Sequence, residues 1–148
     1  MPELLTEVER LSLVIEIGGM PVRVHTTDPG FLALLQNRYS GFVSSSGSAE
    51  IEFDVELVPP GLANPGADPE AAISVTCRSG RWSLRRGDFL AEWEPAARRG
   101  RIRQWANPYS LDAVLRIVHS LVLAKQGGLL LHSASAIRNG KAFLFSGV

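Results

Sequence analysis

Apolar positions along this chain repeat with two different periods, and the places where the period changes mark out its elements. Residues 12–17 (SLVIEI) and 21–26 (PVRVHT) flank Gly18-Gly19-Met20, a pattern that predicts a short hairpin with Val22 and Val24 on one face. Asp28-Pro29 then supplies a capping carboxylate and a proline at the first helical position, and Phe31, Leu34, Leu35, Tyr39 and Phe42 follow at roughly helical spacing. The spacing predicts a helix over 29–43, closed by the polar run 44–48 (SSSGS). In AEIEFDVELV the period drops to two: Ile51, Phe53, Val55 and Leu57 point one way, Glu50, Glu52, Asp54 and Glu56 the other. Strand geometry sets alternate side chains ~7 Å apart in a line, so these acids read as a solvated strand face and not as a metal site.

Residues 59–71 (PPGLANPGADPEA) have the proline and glycine content of a surface loop. Four strands are predicted beyond it, at 72–78, 81–86, 89–94 and 101–105, with turns at Ser79-Gly80, Gly87-Asp88 and Arg99-Gly100. Arg86-Gly87-Asp88 spells an adhesion tripeptide, but a glycine and an aspartate between two strands are explained by a turn. Helical spacing returns after Ser110, with Leu111, Val114, Leu115, Val118, Leu121 and Val122, and stops at Gly127-Gly128. The runs GLLLHSASAI and KAFLFSGV bracket Arg138-Asn139-Gly140-Lys141, and Asn-Gly between apolar runs predicts a second hairpin. Helix and hairpin both read as buried.

Charge changes this picture in one respect. The 148 residues balance fifteen bases against fifteen acids, so no global field draws the chain to nucleic acid or an anionic membrane. The halves are unequal: residues 1–75 carry eleven acids and three bases, and residues 76–148 twelve bases and four acids. Most of the positive charge is arginine between Arg78 and Arg103, where Arg78, Arg81, Arg85, Arg98, Arg99, Arg101 and Arg103 form a cluster with Trp82, Trp93 and Trp105 among them. The cluster reads as the solvent side of an antiparallel sheet, because guanidinium stems cover apolar surface. A basic face for phosphate or an acidic partner, and docking of the basic half on the acidic half, remain open alternatives. The single cysteine, Cys77, allows no intrachain disulfide and suggests a reducing, cytoplasmic setting. The N-terminus begins with acids, unlike a signal peptide, and no apolar run approaches the ~20 residues of a membrane span.

An apolar strand running into Ser146-Gly147 is how a phosphate-binding loop begins. The stretch 107–148 (NPYSLDAVLRIVHSLVLAKQGGLLLHSASAIRNGKAFLFSGV) resembles the segment before the Walker A loop in HPr kinase/phosphorylase-like proteins, P-loop serine kinases with a phosphoenolpyruvate carboxykinase-like fold. In that family a Leu-His pair opens a hairpin whose second strand feeds a loop of the form G-x-x-x-x-G-K-[ST]. Leu131-His132 and Gly147 stand here at the same interval. The earlier part is similar to the short N-terminal region of the HPr-kinase-related proteins, where a pattern like Tyr39-Ser40-Gly41-Phe42 precedes a strand.

The resemblance implies an α+β protein: an N-terminal β-rich region with one helix (1–106), then the helix and hairpin that open a P-loop kinase domain (107–148). It implies ATP and Mg²⁺ as cofactors of the parent family, phosphorylation of a serine or small acceptor, and a phosphocarrier-like or small acidic protein as partner. Gly147 and Val148 become the first two loop positions, and His132 an active-site residue suited to proton or phosphate handling. Without the family, His132 reads as a strand-end histidine bonded to backbone. His25 and His119 have no such support, His119 being placed on the polar side of its helix, and the three histidines show no metal spacing. The loop lysine and the Mg²⁺ ligand lie beyond Val148 on this reading, so the chain is expected to be cut inside its Walker A loop, to be inert alone, and to self-associate through its C-terminal hairpin or pack that hairpin onto its own N-terminal sheet. The alternative is a non-catalytic protein- or peptide-binding module.

Overall fold

A computed structural model describes residues 9–147. Two compact units divide the chain, Met1–Val114 and Leu115–Val148. The larger opens with β1 (Leu11–Ile17) and β2 (Met20–Thr26), antiparallel, joined through Gly18 and Gly19. Both glycines have positive φ (61° and 76°), as a type I′ turn requires. Helix α1 (Pro29–Arg38) is capped by Asp28, whose Oδ1 accepts from the Phe31 amide at 2.7 Å. Such a cap contributes ~1 kcal/mol.

The helix ends five residues earlier than its apolar spacing predicts. Tyr39 is its C-cap, and residues 42–44 run along the outer edge of β1: the Glu16 amide donates to the Phe42 carbonyl (2.8 Å) and the Ser44 amide to that of Val14 (2.9 Å). Ser40 and Gly41 are weak helix formers, so backbone bonds to β1 outweigh another helical turn. Phe42 is accordingly left exposed.

Strand β3 (Ile51–Leu57) pairs in parallel with β2 on one side. After the loop, β4 (Ser74–Arg78), β5 (Arg81–Arg86), β6 (Phe89–Glu94) and β7 (Arg99–Gln104) form an antiparallel meander, and β7 returns to lie parallel to β3. The product is a mixed seven-stranded sheet in the order β1-β2-β3-β7-β6-β5-β4. The predicted turn at Arg99-Gly100 is incorrect, because both residues belong to β7 and the chain reverses over Pro95–Arg98, with Arg98 at positive φ (51°).

One face of this sheet is the core. Leu13 pairs with Val24, Val24 with Phe53, Val55 with Ile102, Ile102 with Ala91 and Ala91 with Leu84, and all of these are buried. The Phe53 and Trp93 rings stack with centroids 5.5 Å apart. Burial of each such side chain stabilises the fold by ~1.5–3 kcal/mol. Helix α1 lies against β1 and β2 and buries Phe31 and Leu35.

Helix α2 (Pro108–Lys125) begins in the first unit and continues into the second. Its cap is Asn107, whose Oδ1 accepts from the amides of Tyr109 (2.9 Å) and Ser110 (3.0 Å), with Pro108 at the first helical position. Leu111, Val114, Leu115 and Val118 form its buried stripe. His119 is also buried, 6 % exposed, which corrects its placement on the polar side. Its Nδ1 is 2.7 Å from the Leu115 carbonyl one turn back, a bond that internalises the ring's polar edge. The 18-residue helix is not apolar enough to cross a membrane, and no other helix among the described residues is long enough.

In the second unit, β8 (Ala134–Arg138) and β9 (Lys141–Phe145) form an antiparallel hairpin turned by Asn139 (φ 52°) and Gly140 (φ 70°). The predicted turn is present, but the hairpin is not buried: every residue of both strands is exposed. Only two strands make up its sheet, so it has no second layer of its own to cover it. Taken together the fold is α+β.

Candidate functional site

Opposite the core, the large sheet presents a face striped by charge. Because β3 and β7 are parallel and in register, Glu52, Asp54 and Glu56 stand beside Arg99, Arg101 and Arg103. On the far side of β7, Glu94 and Glu92 of β6 stand beside Arg99 and Arg101. Strands β3, β7 and β6 therefore carry alternating signs. Ion pairs run across the ladder: Arg99 to Glu52 (3.9 Å), Arg103 to Glu56 (3.6 Å), Arg98 to Glu50 (3.7 Å), Arg81 to Glu94 (3.2 Å) and Arg10 to Asp54 (2.5 Å). His25 of β2 reaches Glu52 at 3.1 Å, and that hydrogen bond, with Arg99 and Arg23 nearby, holds the Glu52 carboxyl below the usual carboxylate range.

The unequal charge of the two halves of the chain is thus cancelled inside one sheet, which joins two readings of the arginine cluster. The arginines lie on the solvent side, and they lie there against the acidic strands. Most of these pairs are exposed and worth ~0–1 kcal/mol each. Trp82 and Trp93 are not part of this face. Trp93 is buried in the core, and Trp82 shares its side of the sheet, paired with it across β5 and β6. Arg101, which makes no ion pair among the described residues, separates two shallow depressions of about 370 and 380 Å³. Their linings are charged and open, and neither gathers a set of groups around one point. Among the described residues no three His, Cys, Asp or Glu side chains are placed to hold a metal ion.

Two polar clusters missed in the sequence are structural. Asp88, 6 % exposed, accepts from Arg86 Nε (2.6 Å), Arg86 Nη2 (3.0 Å) and Ser110 Oγ (2.6 Å), so the Arg-Gly-Asp stretch is a turn locked onto the start of α2. Gly87 admits no side chain there, because a Cβ would lie 2.5 Å from the Asp68 carbonyl carbon of the preceding loop. The second cluster centres on Asp112, which takes Arg38 Nη2 at 2.6 Å and the Tyr39 hydroxyl, fastening the end of α1 to the start of α2. Burial, then the Asp112 carboxylate, pushes the Tyr39 phenol upward.

The residues singled out by the family resemblance lie in the hairpin. His132 is exposed, two residues before β8, and has no hydrogen-bond partner among the described residues, so the expected backbone bond of a strand-end histidine is absent. Gly147 follows β9 two residues on, exposed, with open space where a side chain would be. Val148 lies outside the described residues. Ala134 pairs with Phe145 as the last register pair of the hairpin, and His132 and Gly147 lie two residues outside it on the two chain segments. Both thus stand at the open end of the hairpin, away from the Asn139-Gly140 turn. The hairpin signal in the sequence was sufficient to find this relationship. The sequence marked Asp88 as a turn residue but not its bond to Ser110, and did not mark Asp112 at all, because Ser110, Arg38 and Tyr39 are distant along the chain. Comparison with protein-family models, with curated proteins and with solved structures returns no match.

Proposed function

We propose that residues 107–148 open an HPr-kinase-like P-loop domain, and that the chain is the N-terminal portion of an ATP-dependent kinase acting on a serine or a small acceptor. The observation that carries this reading is the hairpin itself, whose last register pair, Ala134 with Phe145, is followed by Gly147 and preceded by His132, each two residues outside it. A second feature agrees with it: β9 is apolar on both faces, Phe143 and Phe145 on one and Ala142 and Leu144 on the other. Strands of that kind belong to sheets covered by helices on both sides, as in P-loop domains.

The residues present meet part of what ATP and Mg²⁺ require. Gly147 leaves its backbone approachable by a phosphate, and the His132 side chain is exposed near the same end of the hairpin. The sequence contains no Gly-Lys-Ser/Thr, so the lysine for the β/γ-phosphates and the hydroxyl for Mg²⁺ are not among its 148 residues. ATP would supply the transferable phosphoryl group and Mg²⁺ its charge neutralisation. On this reading the 148 residues are inert alone, the setting is the cytoplasm, and a phosphocarrier-like or small acidic protein is the acceptor.

The test is the reading frame beyond Val148 and the chain extended through it. A Gly-x-Gly-Lys-Ser/Thr continuation, with MgATP binding abolished by changing its lysine to alanine, is the expected result. A frame that encodes no such loop, or an extended chain that fails to bind MgATP, overturns the proposal. The alternative, a non-catalytic protein- or peptide-binding module, is favoured by one observation, the uncovered edge of the large sheet.

A further inference from the structure

The two edges of the seven-stranded sheet differ. At one, residues 42–44 occupy the outer side of β1 through two backbone hydrogen bonds and the bridge between Ile15 and Val43. At the other, β4 pairs with β5 without a bulge from Ser74–Arg85 to Arg78–Arg81, and no described residue bonds to the backbone of its outer side. Proteins commonly protect such edges with proline, a bulge or lysines. β4, SVTCR, has no proline or lysine, and every residue in it is exposed.

The chemistry around this edge is one-sided. From Ser74 to Arg86 the outer hairpin contains Arg78, Arg81, Arg85 and Arg86 and no acid. Arg86 is committed to Asp88 and Arg81 to Glu94, while Arg78 and Arg85 make no ion pair among the described residues. Both free arginines lie on the charged face. On the core side the edge exposes Val75 and Cys77, with Trp82 beside Cys77 in the register. A strand laid along β4 would meet guanidinium groups on one face and apolar groups on the other. Two β4 edges brought together would set one arginine-rich hairpin against another, which like-charge repulsion disfavours.

We propose that β4 is a docking edge for an extended peptide segment of a partner protein, one in which acidic and apolar residues alternate, added to the sheet as an eighth strand. Main-chain hydrogen bonds to β4 hold the segment, its acids face Arg78 and Arg85, and its apolar residues cover Val75, Cys77 and Trp82. The chain already contains one pairing of this kind: β3, IEFDVEL, lies beside β7, with Glu52 on Arg99 and Glu56 on Arg103. This inference stands independently of the kinase reading. A five-residue edge makes a small interface, so binding is weak and reversible.

The probe is a synthetic peptide with the sequence of residues 49–58, AEIEFDVELV, titrated into the full 148-residue chain and followed by amide NMR shifts and hydrogen exchange. Saturable shifts and slowed exchange confined to residues 74–78 are expected, with binding that weakens as salt screens the charges. The double variant Arg78→Glu/Arg85→Glu should bind at least ~10-fold more weakly, and Arg78→Gln/Arg85→Gln should fall between it and the native chain, each with unchanged circular dichroism. The same peptide with lysine at each acidic position should not bind. No saturable binding, equal binding by the lysine peptide, shifts centred elsewhere, or undiminished binding by a folded double variant would overturn the proposal. Self-association through residues 74–78 that displaces the peptide would assign the edge to a second copy and overturn it equally.

Discussion

Gly100 lies directly opposite Phe53 across the β3–β7 ladder, and it is the missing side chain at position 100 that gives the Phe53 ring its place. A Cβ there would overlap the ring edge, with Phe53 Cδ1 at 2.6 Å and the Glu92 carbonyl oxygen at 2.7 Å. The ring cannot swing aside, because it is fully buried and stacked on Trp93.

Gly100→Ala therefore destabilises the protein by overpacking, by ~1–3 kcal/mol. Thermal unfolding of Gly100→Ala beside Gly100→Ala/Phe53→Leu checks the cause. The smaller, more flexible leucine should recover part of the loss, and a double variant less stable than the sum of the two singles would rule out the clash as the reason.

Asp88 gives the fold an acid-sensitive tie. Burial alone would push its carboxyl up, but the hydrogen bonds from Arg86 and Ser110 outweigh burial and hold it below the usual aspartate range. A folded value below the unfolded one means that this contribution is complete above about pH 4 and is lost as the pH falls through the folded value. Asp88→Asn should cost about 2 kcal/mol at neutral pH, the scale of a hydrogen bond to a charged group. Denaturant melts from pH 7 to pH 2 should show the gap between native and variant closing below pH 4. A gap that stays constant with pH would mean that the Asp88 charge contributes nothing.

Calorimetric titration of MgATP into the 148-residue chain should give no heat above dilution, since the sequence contains no Gly-Lys-Ser/Thr. Saturable binding tighter than roughly 100 μM, about 5.5 kcal/mol, would contradict this. In a chain extended through the loop, His132→Ala should lower phosphoryl transfer by ~10²–10⁴, the range for a positioned acid-base group. Its melting temperature should not move, because the side chain is exposed. Activity left intact would remove His132 from the proposed site.

Leu129, Leu130, Leu131, Ile137, Phe143, Leu144 and Phe145 are all exposed, more apolar surface than a two-strand hairpin leaves open without consequence. The 148-residue chain is expected to self-associate through residues 129–146. Light scattering across a concentration series should show a rising mass that Phe143→Lys/Phe145→Lys abolishes. A native chain that remains monomeric at the highest concentrations would refute it.

What the sequence determined by itself is local. The Gly18-Gly19 and Asn139-Gly140 turns, the Asp28 cap, the alternation of β3 and the apolar stripe of α2 follow from propensity and period, which act between residues a few positions apart. The pairing of Ala134 with Phe145 belongs here too, because a two-residue turn sets the register of its own hairpin. Tertiary structure decided what depends on distant partners. Parallel pairing of β3 with β7 turned the opposed charges of the two halves into one self-neutralising face, and it made Gly100 a site of close packing when its neighbours read as a turn. The edge of β1 drew residues 42–44 out of the predicted helix, and Asp88 left the surface because Ser110, 22 positions along the chain, supplied a buried hydrogen bond. Burial likewise follows from what stands opposite a segment: β9 has the composition of a core strand and lies exposed, since strand patterning records which faces are apolar and not what covers them.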